Sequence, residues 1–548
     1  MDSPTPSDQS GQPRFDRKLN LGVLLVHGIG EQRRGDTLVS WLDTIVATIN
    51  AATPNQLRAV VEWADLGNRS RGSAHTPAHA VVRIRGVGVD ESWLVAEAWW
   101  AETFMAPSFA QLVTWGFRAI PWTIAMHVAW KYQWRAEKNE GIWRLLSLAW
   151  TVAQLLGTLF LAPFIVLGLA VLLLIGLIPI DAIRKLVGSV ERTLAATTGD
   201  SLVFLESPVT AAAICSEVIA SFAWLRGICD SVACNRSVIL AHSQGAAVTL
   251  EAMSRMEASS TALESDEAGR KRAQLTASVL VTFGAGISKL AALRSLTDYN
   301  GFGNKVKDAS DDSFLERDPI RTACLCLLAA AAIGDWFWKQ IATGQITIRQ
   351  LWLVPAVWFG GSFLVGLMAT GSQRIVQRFG QSRWWLQKFM IAVTFVLLMS
   401  TTIGGIVAAE TTHAPMMPFI VLVAILFWLS NALFSTLSRD FQERIVQTIK
   451  KPANVETWLD YWASADPVPD GSTRSKDHNV PVSTMIWNEA SLSRDHTAYW
   501  QNRDCFVLPI LRILTGVAQS AWRHLLPLET ENIVARSFWR TGWLRAVR

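Results

Sequence analysis

The stretch "VILAHSQGAAVT", residues 238–249, places Ser243 between an apolar run and a helix-like one. A serine hydroxyl becomes a nucleophile when a neighbouring base takes its proton. A strand–turn–helix context suits that role, because the tight turn presents the serine at the carboxyl end of the strand and requires small residues two positions away on either side. Ala241 and Gly245 meet this requirement. The pattern predicts Ser243 as a nucleophile; the alternative is a small polar residue in an ordinary turn.

A second stretch, "LLVHGIGEQRRGDTL", places His27, Gly28 and Gly30 directly after the first strong strand-like run. Acyl transfer develops negative charge on the carbonyl oxygen, and backbone N–H groups stabilise it. A glycine-rich loop after an early strand supplies one such donor, and the residue after the nucleophile supplies the other. We therefore predict an oxyanion hole formed by the amides of Ile29 and Gln244, with His27 structural. The alternative is an ordinary glycine turn.

A serine nucleophile needs a base, and the base needs a carboxylate to orient it. The stretch "VETWLDYWASADPVPDG", residues 455–471, reads as a strand that ends in a turn. Asp466 stands at the exit of this strand, before Pro467, where a loop carboxylate can face the carboxyl edge of a sheet. Asp466 is the predicted acid, and Asp470 and Asp460 are the alternatives.

Three histidines follow the predicted acid: His478, His496 and His524. His496 lies in the polar loop "SLSRDHTAYWQN", ahead of "FVLPILRIL", which reads as a closing helix. This loop leaves the imidazole able to reach the carboxyl edge of a sheet. His496 is the predicted base, with His478 the next candidate, whereas His524 is expected within the closing helix.

The motifs "VHGIGEQ", "AHSQG", "ADPVP" and "DHTAYW", in this order, resemble the α/β-hydrolase superfamily, and most of all its bacterial lipase-like serine hydrolases with membrane insertions. The resemblance covers roughly residues 20–104, 195–300 and 450–510. Ala241 departs from the pattern, since glycine is usual there. The resemblance implies an α/β-hydrolase core, a mostly parallel sheet flanked by helices, and a Ser–His–Asp mechanism that requires no cofactor and no metal.

Several residues near these motifs are expected to support the site without acting in it. The stretch "ESWLVAEAWWAETF", residues 91–104, is also similar to the membrane-bound relatives. We expect Glu97 and the following tryptophan pair to pack against or above the site. Asp495 is expected to be a solvated neighbour of the base, and Tyr499 and Trp500 are expected to pack.

Strand-like and helix-like runs alternate in the parts of the chain that carry these motifs. "GVLLVHG", "RAVVEWA" and "HAVVRIRGV" read as strands, and the helix-like "DTLVSWLDTIVATIN" falls between the first two. "SVILAHS" and "ASVLVTFGAG" read as two more buried strands. This alternation predicts an α/β fold with a parallel sheet.

The composition indicates an integral membrane protein. Half of the residues are apolar, 17% are charged, and 26 tryptophans stand against 4 tyrosines. Residues 145–180 include no charged residue. A single helix over this run would be roughly 54 Å long, whereas the hydrocarbon layer is about 30 Å thick. We therefore predict a helical hairpin; the alternative counts residues 109–130 as one crossing and 145–180 as another.

Four further apolar segments lie near residues 322–338, 351–370, 389–409 and 416–437. Arginine and lysine are frequent between the second and third segments and after the fourth, whereas "ETTHAP", between the third and fourth, has neither. The basic loops are expected on the cytoplasmic side. Each insertion leaves the core and returns to it, so each crosses the membrane an even number of times, and six crossings are predicted.

These observations predict the following organisation. The chain has a disordered lead (1–19), a first core part (20–104), a first membrane insertion of an interfacial helix and a helical hairpin (105–194), a second core part with the nucleophile (195–315), a second, four-helix insertion (316–445), and a third core part with the acid, the histidine and C-terminal helices (446–548). The lead "MDSPTPSDQSGQPRFDRKLN" has no apolar core of a signal peptide. The catalytic part is therefore expected in the cytoplasm, and the resemblance implies a bacterial inner membrane.

The chain is thus expected to be a membrane-embedded serine hydrolase, esterase- or lipase-like, that cleaves an acyl ester of a lipid or another apolar substrate. A net charge of +5 is too small to indicate a nucleic-acid partner, and the six cysteines form no metal-ligand pattern. No heptad array or internal repeat indicates an oligomeric state. The alternative is a non-catalytic membrane transport, pore or signalling protein that retains a hydrolase-like domain, with Asp335 as its candidate polar group.

Overall fold

The structure, a computed structural model, describes the parts of the chain that carry the predicted motifs. The described residues are 18–28, 32–67, 76–86, 88–103, 200–262, 275–296, 446, 448–469, 471–475, 480–488 and 494–527, with single positions at 111, 115, 123 and 127. Ile29, Gly30, Asp470 and His478 lie outside them. The predicted membrane insertions also lie outside them, apart from those single positions.

One sheet of eight strands dominates the described part of the chain. The strands are β1 (Leu21–Val26), β2 (Leu57–Asp65), β3 (His79–Gly86), β4 (Val89–Ala98), β5 (Ser237–His242), β6 (Ala277–Phe283), β7 (Val455–Ala463) and β8 (Val482–Ile486). Their order across the sheet is β2-β3-β4-β1-β5-β6-β7-β8. Six strands are parallel to one another, in the order β4-β1-β5-β6-β7-β8. At one edge, β3 pairs antiparallel with both β2 and β4. The chain therefore has the predicted α/β class, with a mostly parallel sheet.

Helices cover both faces of this sheet. They are α1 (Asp36–Ala52), α2 (Asp200–Glu206), α3 (Pro208–Ser231), α4 (Gln244–Ala262), α5 (Ile287–Leu296) and α6 (Leu508–Ala518). A short π-helical turn, Arg503–Val507, leads into α6, and a 3₁₀ turn, Ala521–Leu525, follows it. Two layers of helices thus exclude water from the central strands, which is typical of parallel sheets.

The central strand β1 shows how its sequence fits this arrangement. All six residues of "LGVLLV" are buried, as expected of a strand with helices on both sides. Leu21 and Leu25 belong to the core formed with α1 and α6. Side chains alternate between faces along a strand, so Gly22 faces α3. A Cβ at Gly22 would lie 2.7 Å from Cys229 Sγ, so glycine is what allows α3 to pack this closely.

The prediction of a parallel sheet was wrong for β2 and β3. Only residues 87 and 88 separate β3 from β4, and so short a connection permits only an antiparallel hairpin. The chain between β2 and β3, "LGNRSRGSAHTPA", carries no helical pattern that could serve as a crossover. The sequence prediction of the helix α1 and of the strands β1, β2, β3, β5, β6 and β7 was confirmed, whereas β4 and β8 were not predicted.

Among the described residues, one helix is long and apolar enough to cross a membrane. This helix is α3, whose mean hydropathy reaches 1.5 and which packs against the sheet at β1 and β4. Because its inner face contacts Gly22 through Leu225 and Cys229, α3 is a core helix of the α/β fold.

The chain divides into two compact units. One comprises Met1–Leu112, Ser189–Asp312 and Arg439–Arg548 and holds the sheet; the other comprises Val113–Gly188 and Ser313–Ser438. The second unit is almost entirely outside the described residues, and the domain boundaries stay a prediction.

Candidate active site

The turn between β5 and α4 carries Ser243. The strand ends at His242 and the helix begins at Gln244, so the serine alone makes the turn. Its φ of 54° lies in the left-handed region, which costs free energy for a residue with a Cβ. The backbone N–H of Ser243 donates to the Phe283 carbonyl of the neighbouring strand at 3.0 Å. This bond holds the strained turn in place.

Small residues around the serine are required by close backbone contacts. A Cβ at Gly245 would lie 2.1 Å from the His27 carbonyl oxygen, a distance no side chain tolerates. A Cβ at Gly28 would lie 2.6 Å from Cβ of Ser243 and 3.2 Å from its Oγ. Gly28, two residues beyond the end of β1, therefore lies in contact with the serine.

The structure brings Ser243, His496 and Asp466 together. His496 Nε2 lies 2.9 Å from Ser243 Oγ, and His496 Nδ1 lies 3.1 Å from both carboxylate oxygens of Asp466. A carboxylate can only accept, so Nδ1 carries the proton and Nε2 is left to accept from the serine hydroxyl. The arrangement is that of a nucleophile, a base and an orienting acid.

The Asp466 carboxylate is fully buried and held by two further donors. The hydroxyl of Tyr499 donates to Oδ2 at 2.9 Å, and the Val468 N–H donates to Oδ1 at 2.8 Å. Burial alone would raise the pKa of Asp466, but the hydrogen bond and charge of His496, together with these donors, outweigh it and lower the pKa. Asp466 therefore stays ionised, which suits a carboxylate that must stabilise an imidazolium.

His27 has the structural role predicted for it. Its Nδ1 lies 2.8 Å from the Gly28 carbonyl, and its Nε2 accepts from the backbone N–H of Trp100 at 3.2 Å. The two rings stack with centroids 4.7 Å apart. Burial lowers the pKa of His27 to about 4, so the imidazole is neutral and both nitrogens are used. His27 thus anchors the start of the glycine-containing loop, whose Ile29 and Gly30 lie outside the described residues.

Gln244, the second predicted oxyanion donor, is the first residue of α4. Its backbone N–H therefore lies at a helix N-terminus, where the helix dipole favours negative charge. The side chain turns to another helix, since its Oε1 accepts from Ser201 Oγ of α2 at 2.9 Å. Gln244 is buried directly after Ser243, and its role as an oxyanion donor stays a prediction.

The alternatives for acid and base have other surroundings. Asp460 lies within β7, and its carboxylate accepts from Thr282 Oγ1 at 2.7 Å and from Ser483 Oγ at 3.1 Å. His524 is exposed in the 3₁₀ turn after α6, so the prediction that it lies within the closing helix was wrong. Asp470 and His478 lie outside the described residues.

Three supporting residues make contacts that were not predicted. Glu97 forms a cap for α1, because its carboxylate accepts from the N–H groups of Gly35 and Thr37. Asp495 is buried and accepts from the Ala465 N–H at 3.2 Å, so the expectation of a solvated neighbour was wrong. Tyr499 packs as predicted, but it also binds Asp466. No local pattern in the sequence indicates these partners, because each lies more than twenty residues away along the chain.

Comparisons with protein-family models, curated proteins and solved structures find no match to this chain. Within the described residues, no group of three or more histidine, cysteine, aspartate or glutamate side chains could hold a metal ion. The four described cysteines, Cys215, Cys229, Cys234 and Cys505, are free thiols.

Proposed function

We propose that this chain is a membrane-embedded serine hydrolase of the α/β-hydrolase type that cleaves an acyl ester of a lipid or another apolar substrate. The observation that carries the proposal is the continuous hydrogen-bonded series from Ser243 Oγ through His496 to Asp466. These side chains come from three distant parts of the sequence. The 2.9 Å contact between Ser243 Oγ and His496 Nε2 lies within the reach that proton transfer needs.

The position of the site in the sheet supports the same function. Ser243 follows β5 and Asp466 follows β7, so both lie at the carboxyl ends of parallel strands. Ligands of open α/β sheets bind at this edge. The positive φ of Ser243 and the close contact of Gly28 add the features of a nucleophile turn beside an oxyanion loop.

The mechanism follows from the assigned protons. His496 Nε2 takes the hydroxyl proton as Ser243 Oγ attacks the acyl carbonyl, and the resulting oxyanion is stabilised by the amide of Gln244 and by that of Ile29. The imidazolium then gives its proton to the leaving alkoxide, which departs as an alcohol. Water, deprotonated by His496, attacks the acyl–serine ester and releases a carboxylic acid with Ser243 restored. Asp466 stays ionised throughout and stabilises the imidazolium.

The lipid part of the proposal depends on the apolar segments in the sequence. We propose two transmembrane insertions in the core, with six crossings, in a bacterial inner membrane and with the catalytic part in the cytoplasm. Such anchoring holds the serine near the membrane surface, where acyl esters of lipids are concentrated. For the alternative, a non-catalytic transport, pore or signalling protein, Asp335 is the candidate for a conducting polar group in the membrane.

The test is covalent labelling of the full-length protein in detergent with a fluorophosphonate probe. We expect the wild-type protein to react and S243A not to react, with hydrolysis of a p-nitrophenyl ester reduced on the order of 10⁶-fold. S216A is the matched control, because Ser216 is exposed on α3 and its hydroxyl donates within its own helix, to the Ala212 carbonyl. A folded wild-type protein that does not react, or an S243A variant that does, would overturn the proposal.

A further inference from the structure

His242 stands directly before the nucleophile, at the end of β5, and the mechanism above gives it no role. Its ring lies in an aromatic cluster, stacked on Phe283 with centroids 4.9 Å apart and edge-on to Trp41 and Tyr499. A buried histidine in such a cluster often only fills space. Its contacts with the base distinguish His242 from that case.

His242 contacts His496 in two ways. Its Nε2 lies 3.0 Å from the backbone carbonyl oxygen of His496, and the two rings stack with centroids 4.8 Å apart at an angle of 30°. A carbonyl oxygen can only accept, so Nε2 of His242 carries the proton and donates it. One side chain thus holds both the backbone and the ring of the residue whose own Nε2 reaches Ser243.

The segment that carries His496 needs such a contact. Residues 494–501 form turns rather than a helix or a strand, so no ladder of backbone hydrogen bonds fixes the imidazole. Its other anchors lie beside the base. Asn488 Nδ2 donates to the Asp495 carbonyl at 2.8 Å, the Asp495 carboxylate accepts from the Ala465 N–H at 3.2 Å, and Tyr499 binds Asp466. The Ala498 N–H donates to the Arg494 carbonyl at 2.8 Å and so closes one turn of chain around His496. Among the described contacts of this segment, the bond from His242 is the hydrogen bond that is made to the backbone of His496 itself.

His242 also remains uncharged beside a base that must become charged. Burial, and after it the charge of His496, lower the pKa of His242 to about 3, so the ring is neutral at every pH at which an esterase is assayed. The titratable groups that act on it are His496, Asp466 and His27. A neutral ring stacked on His496 does not oppose formation of the imidazolium, whereas a second cation at that distance would.

We propose that His242 is a positioning residue for the base. Through its Nε2–H bond to the His496 carbonyl and through ring stacking, it holds His496 Nε2 against Ser243 Oγ. This inference rests on the proposed hydrolase function. Displacing the base by about 1 Å lowers the reaction rate by about 10²-fold, so the loss of one hydrogen bond that positions the base can lower the rate by a similar factor.

The variants H242Q and H242N separate the hydrogen bond from simple packing. The amide nitrogen of glutamine is as many bonds from Cα as Nε2 of histidine and can donate to the same carbonyl, whereas that of asparagine is one bond short. We expect H242N to lower kcat and the fluorophosphonate labelling rate by about 10- to 100-fold with KM within about twofold of wild type. We expect H242Q to recover most of the loss. H242F, which keeps a ring but no donor, should resemble H242N.

The matched control is H79F. His79 is a second buried histidine in an aromatic cluster, with Trp63 and Trp224, and it bonds the Pro77 carbonyl at 2.8 Å, on β3 away from the serine. H79F should lower the unfolding temperature but leave the labelling rate of the folded protein unchanged.

Three outcomes would count against the inference. H242N and H242F labelling at the wild-type rate would overturn it while leaving the proposed hydrolase intact. Equal loss in H242Q and H242N, or a loss confined to KM or to the unfolding temperature, would show a packing role and overturn it too. A wild-type protein that does not label at all would instead overturn the proposed function, and the positioning role with it. If H242F does not fold, the comparison of H242Q with H242N decides the matter.

Discussion

Asp460 and Asp466 are two buried aspartates on the same stretch of chain with opposite electrostatics. Asp460 lies inside β7, where burial raises its pKa despite the hydroxyl groups of Thr282 and Ser483. Asp466 lies just beyond the strand, where His496 and two other donors lower its pKa. The first carboxylate binds neutral partners and ties three strands together. The second binds a titratable base, so its charge can act on chemistry.

Burial alone therefore does not decide whether the pKa of a carboxyl group is raised or lowered; the partners of the group decide it. A buried acid in the middle of a strand is surrounded by its own sheet. An acid one turn beyond the strand can face residues that arrive from other loops, and only there does the sheet bring the serine and the histidine within reach.

The largest difference between the two aspartates is expected when each carboxylate is neutralised in turn. D466N should lower kcat by about 10⁴-fold, because an amide donor opposite Nδ1 favours the wrong imidazole tautomer. D460N should leave the labelling rate of the folded protein near that of wild type and lower only its unfolding temperature. Ester hydrolysis and thermal unfolding of both variants check this. Similar activity losses in the two would contradict the distinction.

Removing one hydroxyl donor from each carboxylate tests whether the donors of Asp466 and Asp460 affect activity or stability. Y499F deletes the donor to Asp466 Oδ2 and should lower kcat by about tenfold, the equivalent of about 1.4 kcal/mol. S483A deletes the donor to Asp460 and should cost about 1 kcal/mol of stability with kcat unchanged. The two variants are compared by kcat and by denaturant unfolding. A loss of kcat in S483A larger than in Y499F would reverse the assignment.

The smallest expected effect is on the acid sensitivity of folding. Asp466 has a lowered pKa, so below its ordinary value of 3.8 the unfolded chain binds more protons there, and stability is lost as the pH falls. Asp460 has a raised pKa, so above 3.8 the folded chain binds more protons there, and stability is gained as the pH falls. As the pH falls, the stability of D466N should therefore decrease less than that of wild type, and the stability of D460N should decrease more. Unfolding midpoints measured from pH 6 to pH 3 test the two signs.

Much of the site was predictable because its residues follow strand ends. Ser243 was predicted from the small residues on either side of it, and the contact of Gly245 with the His27 carbonyl explains why a glycine follows two positions later. Asp466 and His496 were found from their places after a strand and in a polar loop. The choice of Asp466 over Asp460 required only that an acid at a strand exit can reach other loops.

The supporting residues were not predictable in the same way. Tyr499 binds Asp466 across 33 positions, and Glu97 binds the start of α1 across 60. Asp495 was expected in solvent, because a charged residue in a polar loop usually is, yet it is buried against the exit of β7. The sequence around His242 does not indicate its hydrogen bond to the His496 carbonyl, which lies 254 positions away along the chain.

The local elements of this protein follow from the amino-acid sequence alone: the apolar strands, the serine turn, and the order of Ser243, Asp466 and His496 along the chain. These depend on side-chain size, polarity and spacing, which act over a few residues. Only the tertiary structure decided which strands are antiparallel, which aspartate meets the histidine, and which neighbours hold that histidine in place. These depend on contacts between residues far apart in the chain, whose closeness is set by the packing of the whole sheet rather than by any short pattern.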